Sequence, residues 1–355
     1  MGAVDIDWSM GSSAARLADW DTAYQVGRRV AGPGPRVIPA DRARMREELS
    51  VAVARAEGLV GDFTGLTVSG FRSRAWVMGR GDWIRQNLRG LQRLLEPLAV
   101  RVLEKHPDRP SLSRKAMGAQ AGALLGYVSR RVIGQFDVFL PPDDDGLIYF
   151  VGPNVVEVER RYALGPTDFR LWVAIHEVTH RMQFSAAPWL RGYLNGMVDD
   201  YLSTVSLDSK ALFDQLRRVV EEAKHGLDLR QGLLAVLTPE QRAVFERSQG
   251  MMSLLEGHAS FVMNEVARDH VRDLERMRQA LSHRRKTGKA EQVLQRAVGF
   301  DQKIRQYDSG ELFVREVIDR AGHEGFNRVW ERAENLPRLD EIGEPDAWVA
   351  RVLES

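Results

Sequence analysis

Apolar residues recur at helical spacing through most of the chain, and that period predicts helices over 17–31, 41–58, 82–105, 113–133, 167–184, 188–206, 208–226, 239–283, 290–306, 311–321 and 326–335. A different pattern interrupts them once. Phe136-Asp137-Val138-Phe139-Leu140 and Leu147-Ile148-Tyr149-Phe150-Val151 are short runs of β-branched and aromatic residues on either side of Pro141-Pro142-Asp143-Asp144-Asp145-Gly146, so they read as two strands joined by a loop. The class expected is mainly α, an α+β fold with a small sheet or hairpin. Gly32-Pro33-Gly34-Pro35 separates the first helix from the next, and Pro107 with Pro110 marks a later boundary. These breaks divide the chain into a helical region over 1–110 and a second region over 111–355, which can form one continuous domain with the first. Thr238-Pro239-Glu240-Gln241 reads as an N-cap, a proline at the first helical position and a capping-box glutamine. Gly250 is expected to break or bend the chain after it.

One predicted helix carries chemistry. His176-Glu177-Val178-Thr179-His180 is an HExxH pattern set in an apolar-periodic stretch that includes Phe169, Leu171, Trp172, Val173, Ile175 and Met182. Pro166-Thr167-Asp168 supplies a helix start, so the pattern falls mid-helix. Two histidines four residues apart share one face of a helix and can bind one zinc, with Glu177 beside the metal without being a ligand. The competing reading is a buried pair of histidines hydrogen-bonded to carboxylates with no metal.

A catalytic zinc takes three protein ligands and keeps one position for water. The third ligand must come from elsewhere, and the absence of cysteine removes thiolate. The segment from Met251 to Met263 is the most apolar helical stretch to contain ionisable groups, and a buried carboxylate is costly unless paired or metal-bound. Glu256 is therefore the first candidate. His258 is its rival, because imidazole is the commonest metal ligand. The two point to nearly opposite sides of a helix, so only one should ligate. Gly257 and Ala259 would let this helix approach the His176 helix closely. Tyr193, Tyr201 and His258 are candidates for stabilising an oxyanion, and the sequence does not choose among them.

The chain resembles a type 2 zincin-like metallopeptidase family found largely in actinobacteria and often labelled as associated with deazaflavin-cofactor biosynthesis. The stretches that carry the resemblance are Asp7-Trp8, Gly27 to Pro35, Gln135 to Pro141, Val151-Gly152-Pro153-Asn154, Asp168 to Phe184, Pro188-Trp189-Leu190 and Leu255-Glu256-Gly257-His258-Ala259. The resemblance spans most of the chain and implies a zinc-dependent hydrolase fold. It adds weight to Glu256 as the third ligand, by similarity to zincins whose third ligand is a downstream helical glutamate. The expected activity is then hydrolysis of peptide or other amide bonds, with one Zn2+ per chain held by His176, His180 and Glu256 and with Glu177 as general base. The alternative is a non-catalytic binding or assembly protein that keeps the architecture around a structural zinc and supports a cofactor pathway.

Composition narrows the partners. Fifty basic against 49 acidic residues give a net charge of +1, which points to no strongly charged partner, and 44% hydrophobic residues suit an ordinary globular protein. A peptide or protein substrate is expected, with no nucleic acid and no membrane. His283-Arg284-Arg285-Lys286-Thr287-Gly288-Lys289 and Asp143-Asp144-Asp145 read as solvated loops. Gly118, Gly122 and Gly126 imitate a membrane-dimer motif, but the apolar stretch is too short and Arg130-Arg131 follows, so close packing of a soluble helix is expected. The N-terminus shows no basic region followed by an apolar core, which makes a cytoplasmic location the expectation.

Overall fold

The computed structural model describes residues 13–68, 70, 72–105, 111–138, 146–204, 238–285 and 300–354; of residues 284, 285 and 300–308 only the backbone is described. The expectations for helix 208–226, for most of 290–306, for the loop 141–145 and for residues 286–289 lie outside the described residues. The fold is mainly helical with a small three-stranded sheet. The chain divides into two compact units, one of residues 1–57 and 70–178, the other of 58–69 and 179–355.

In the first unit, α2 (Trp20–Ala31) forms within the helix expected over 17–31, and a short α1 (Ser13–Leu17) precedes it. Asp19 separates them because its carboxylate accepts the Thr22 N–H at 2.8 Å and caps α2. Gly32 ends α2 with φ 61°, a left-handed value that glycine adopts without strain. Then come α3 (Pro39–Thr64), β1 (Arg74–Met78), α4 (Arg80–Lys105) and α5 (Ser111–Ser129). The three glycines of α5 lie against α2. A methyl group at Gly118 or Gly122 would overlap the carbonyl of Asp19 or of Ala23, and one at Gly126 would come within 2.5 Å of Gly27 O. Backbone-to-backbone approach is the role of this small-residue stripe, as expected. Trp20, Trp83, Ile84, Leu88, Tyr149 and Val151 are among the residues of the core beside it.

The sheet joins β2 (Gly134–Phe136) and β3 (Leu147–Val151) antiparallel, the pairing that the hairpin reading expected, but β2 shares only Phe136 with the strand expected over 136–140: Asp137 and Val138 follow its end, and 139–140 lie outside the described residues. It also pairs β1 parallel to β3, in the order β1-β3-β2. β1 was not expected, because five residues reading Arg-Ala-Trp-Val-Met show no clear alternation. The helix α6 (Gly152–Tyr162) was also missed, since Val155, Val156 and Val158 prolong the strand-like run of β3. A buried fork ties it to the next helix: Arg170 donates to both oxygens of Glu159 at 2.7 and 3.0 Å and also reaches Glu48.

α7 (Pro166–Ala186) crosses the division between the units as one continuous helix. The second unit continues with α8 (Trp189–Thr204), α9 (Pro239–His270), α10 (Leu274–Arg285), α11 (Phe300–Asn327), two 3-10 turns at Arg328–Trp330 and Ala333–Asn335, and α12 (Pro345–Leu353). The capping box at the start of α9 is present: Gln241 N donates to Thr238 Oγ1 at 3.2 Å, and Thr238 N to Gln241 Oε1 at 3.1 Å. Two expectations are corrected here. The 239–283 helix is two, because the chain leaves helical geometry at Val271 and Asp273 sits at φ 56°, a conformation that aspartate tolerates better than most residues. Gly250 does not break α9; it makes room for Pro337 O, which would lie only 2.5 Å from a methyl group at this position. At Gly257 the nearest neighbour is α11, since a methyl group there would overlap the Gly310 backbone. Among the described residues no helix is long and apolar enough to cross a membrane.

Candidate metal centre

α7 is buried almost all round. Phe169, Trp172, Ala174, Ile175 and Val178 are each at most 1% exposed, and only His176 and His180 interrupt the buried run from Leu171 to Thr179 and beyond. Between Phe169 and Gln183 these two side chains, one turn apart, are the part-exposed positions. His176, His180 and Glu256 each offer a ligand atom, and the three atoms lie within 4.8 Å of one another. Within the second unit, His180 Nε2 is 3.7 Å from Glu256 Oε2. His176 stands one turn before His180 on the same helix, so the helix itself sets the spacing of the two imidazoles.

Gln183, three residues after His180, determines which imidazole nitrogen faces Glu256. Its Nε2 lies 2.9 Å from Leu255 O and 3.1 Å from His258 Nδ1, and its Oε1 lies 3.0 Å from His180 Nδ1. A carbonyl can only accept, so the Leu255 side must take the amide NH2, and the amide oxygen is left to accept from His180 Nδ1–H. The lone pair of His180 is then on Nε2, toward the Glu256 carboxylate. A lone pair and a carboxylate oxygen that face each other at this distance are complementary to a cation between them. Two imidazoles and a carboxylate suit zinc. The donor set therefore fits the metal that the motif implies.

The same amide assigns His258. Gln183 Nε2 has two hydrogens, and the second goes to His258 Nδ1, which accepts and leaves the His258 proton on Nε2. The His258 ring is fully buried, 5.0 Å from the Phe326 ring and 5.5 Å from that of Trp330. Burial, reinforced by His323 and His180, pushes its pKa down to about 3, so it is a neutral core histidine. Its Nε2 has no hydrogen-bond partner among the described residues. The structure places Glu256, not His258, beside His180.

Glu177 belongs to the first unit and is 7% exposed. Its Oε2 accepts the Phe136 N–H at 3.0 Å. In the β2–β3 register Ile133 O bonds Val151 N, which turns the N–H of Phe136 to the outer edge of β2, where the glutamate meets it. Gly134 is the condition for this contact. A methyl group there would sit 2.7 Å from Glu177 Cγ and Oε1.

The sequence reading missed Gln183 and Gly134. Gln183 had a visible signal, a polar residue one turn beyond the second histidine and on the same face of the helix, while nothing local distinguishes Gly134. Of the oxyanion candidates, Tyr193 lies on α8 with its ring edge-on to Trp189 at 6.0 Å, and Tyr201 is 41% exposed on the same helix.

A family model described as zincin-like metallopeptidase matches residues 18–349. Among solved structures, the chain is similar to a candidate hydrolase with a novel fold from Chloroflexus aurantiacus, at 32% identity and a TM-score of 0.70 over 94% of this chain and 98% of that one. No curated protein matches it.

Proposed function

Starting from the fact that this chain belongs to the zincin-like metallopeptidase family, we propose that it is a zinc-dependent hydrolase of peptide bonds, with His176, His180 and Glu256 as ligands and Glu177 as general base. The observation that carries this reading is the convergence of those two imidazoles and one carboxylate. Zinc bound there would bring the pKa of a water toward 7 and polarise a carbonyl oxygen. Glu177 takes a proton on its carboxylate and returns it to the leaving amine. Its bond from Phe136 N–H fixes the direction in which the carboxylate faces. Gln183 holds His180 in the tautomer that presents Nε2.

A structural zinc in a non-catalytic protein would need a fourth protein ligand in place of water. His258, two positions after Glu256, does not supply it: its ring is packed against Phe326 and Trp330 with Nδ1 on Gln183. This favours the hydrolase. The test is zinc content with coordination geometry for wild type, Glu256→Ala and His258→Ala, followed by a peptide-library screen of wild type and Glu177→Gln. We expect about one zinc per chain with a water ligand, lost in Glu256→Ala only. Glu177→Gln is expected to keep zinc and lose turnover. A four-ligand site, or turnover retained by Glu177→Gln, would remove the proposal in its present form.

A further inference from the structure

The first unit contains a cavity of about 1340 Å3, and no candidate zinc ligand is among the residues that line it. Its walls come from α2, the 32–38 loop, the first turns of α3 and α4, the end of β1, and Gly152-Pro153. Seven arginines line it, against a single carboxylate, Asp82, and no lysine. The whole chain has 50 basic and 49 acidic residues, so this excess is a local feature and not a reflection of composition.

The arginines divide by what they do. Arg80 is buried and holds the wall together, donating to Asn154 Oδ1 at 2.7 Å, to Ala31 O at 2.9 Å and to Glu157 at 2.6 Å. Arg85 donates to the Tyr24 hydroxyl at 2.9 Å and lies 3.7 Å from Asp82, which places the one carboxylate beside a cation already. Arg28 lies over the Tyr24 ring, 5.6 Å from its centroid, and Arg29, Arg36, Arg42 and Arg46 are exposed and have no ion pair among the described residues. Like charges gathered without counterions repel one another, and such a cluster is stabilised when an anion enters.

The backbone adds charge of the same sign. β1 and β3 run parallel, and each leads through a glycine directly into a helix, Gly79 into α4 and Gly152 into α6. The amino ends of α3, α4 and α6 all contribute residues to the cavity, and helix amino ends carry partial positive charge and outward N–H groups. Gly34, at φ 70°, brings the loop against Pro153, where a methyl group would come within 2.8 Å of the proline ring. The loop after α2 is thereby closed over the helix starts. Trp76, Pro33 and Ile38 supply apolar surface between the charges.

We propose that this cavity binds a small organic polyanion, recognised through phosphate or clustered carboxylate groups by Arg29, Arg36, Arg42 and Arg46, with its less polar part on Trp76. Arginine in place of lysine throughout favours planar, bidentate oxyanion recognition. Small-molecule sites usually enclose about 300–1,000 Å3, so the space takes a ligand of nucleotide size or larger without requiring a polymer. The inference is independent of the zinc-hydrolase reading.

The test uses full-length protein freed of metal by chelation and dialysis, so that a zinc site cannot capture the probe. Calorimetric titrations with pyrophosphate, citrate, ATP and a single-stranded 20-nucleotide DNA are compared for wild type, Arg36→Ala, Arg42→Ala, the double variant, Arg278→Ala and Glu256→Ala. Saturable one-site binding of a small anion is expected, about tenfold weaker in each single cavity variant and about a hundredfold weaker in the double. Arg278→Ala, an exposed arginine elsewhere, and Glu256→Ala should bind as wild type does. Preference for pyrophosphate or ATP over citrate assigns phosphate, and the reverse assigns a polycarboxylate. No saturation by about 10 mM, equal binding by the double variant, or binding of the oligonucleotide alone would overturn the proposal.

Discussion

Gln183 connects three parts of the proposed centre through one amide: His180 by its oxygen, Leu255 O and His258 by its nitrogen. Partners of this kind hold a metal-binding imidazole in one tautomer and orientation, and their loss typically weakens metal binding about 10- to 100-fold. Gln183→Leu keeps the volume and removes all three bonds. Competition against a chelator of known affinity should show zinc bound weaker by about that factor, with near-unchanged circular dichroism; unaltered affinity would mean that Gln183 only packs. Gly134 acts on Glu177 instead. In Gly134→Ala the new methyl group must displace the carboxylate, since it would start 2.7 Å from Glu177 Oε1. A displacement near 1 Å at a reacting group can cost on the order of a hundredfold in rate. Turnover of any cleaved library peptide should fall about that far while zinc content stays the same, and a loss of zinc would instead point to a general collapse of the centre.

At the scale of elements, glycine marks where helices touch backbone to backbone. α9 and α11 meet at Gly257 and Gly310, as α5 meets α2 at Gly118, Gly122 and Gly126. Gly257→Ala should force the α9–α11 pair apart and lower stability by roughly 1–3 kcal/mol, visible as a fall in Tm. Gly192, inside α8, has no atom within 4 Å of an added methyl group. There the same substitution should raise stability by up to about 1 kcal/mol, because alanine is the better helix former and nothing has to move. Equal effects at the two sites would contradict the packing account. Residue identity alone could not separate these cases: both are helical glycines in the sequence, and only the neighbouring helix tells them apart.

For the whole molecule, the proposed ligands come from α7 and α9, which are more than fifty residues apart in sequence, so zinc would bind the folded chain far better than the unfolded one. A ligand of that kind adds about 4 kcal/mol at a thousand times its dissociation constant. Chelator-treated protein should therefore melt at a lower temperature and recover on addition of zinc, whereas Glu256→Ala should show little zinc-dependent shift. Recovery of the full shift by Glu256→Ala would exclude it as a ligand. The sequence by itself determined the helical class, the HExxH helix, the capping box of α9 and the need for a third donor, because each depends on spacing within one element, where periodicity and local hydrogen bonding dominate. The tertiary structure decided what depends on distant segments. It placed Glu256 beside His180 and His258 against Phe326 and Trp330, although only Gly257 separates them in the chain. It gave Gln183 its three partners and turned the Phe136 N–H onto Glu177. It also gathered arginines from α2, the following loop and the starts of α3 and α4 around one cavity in a chain of almost no net charge. Side-chain convergence is set by how elements pack, and packing is not a property of any single stretch of sequence.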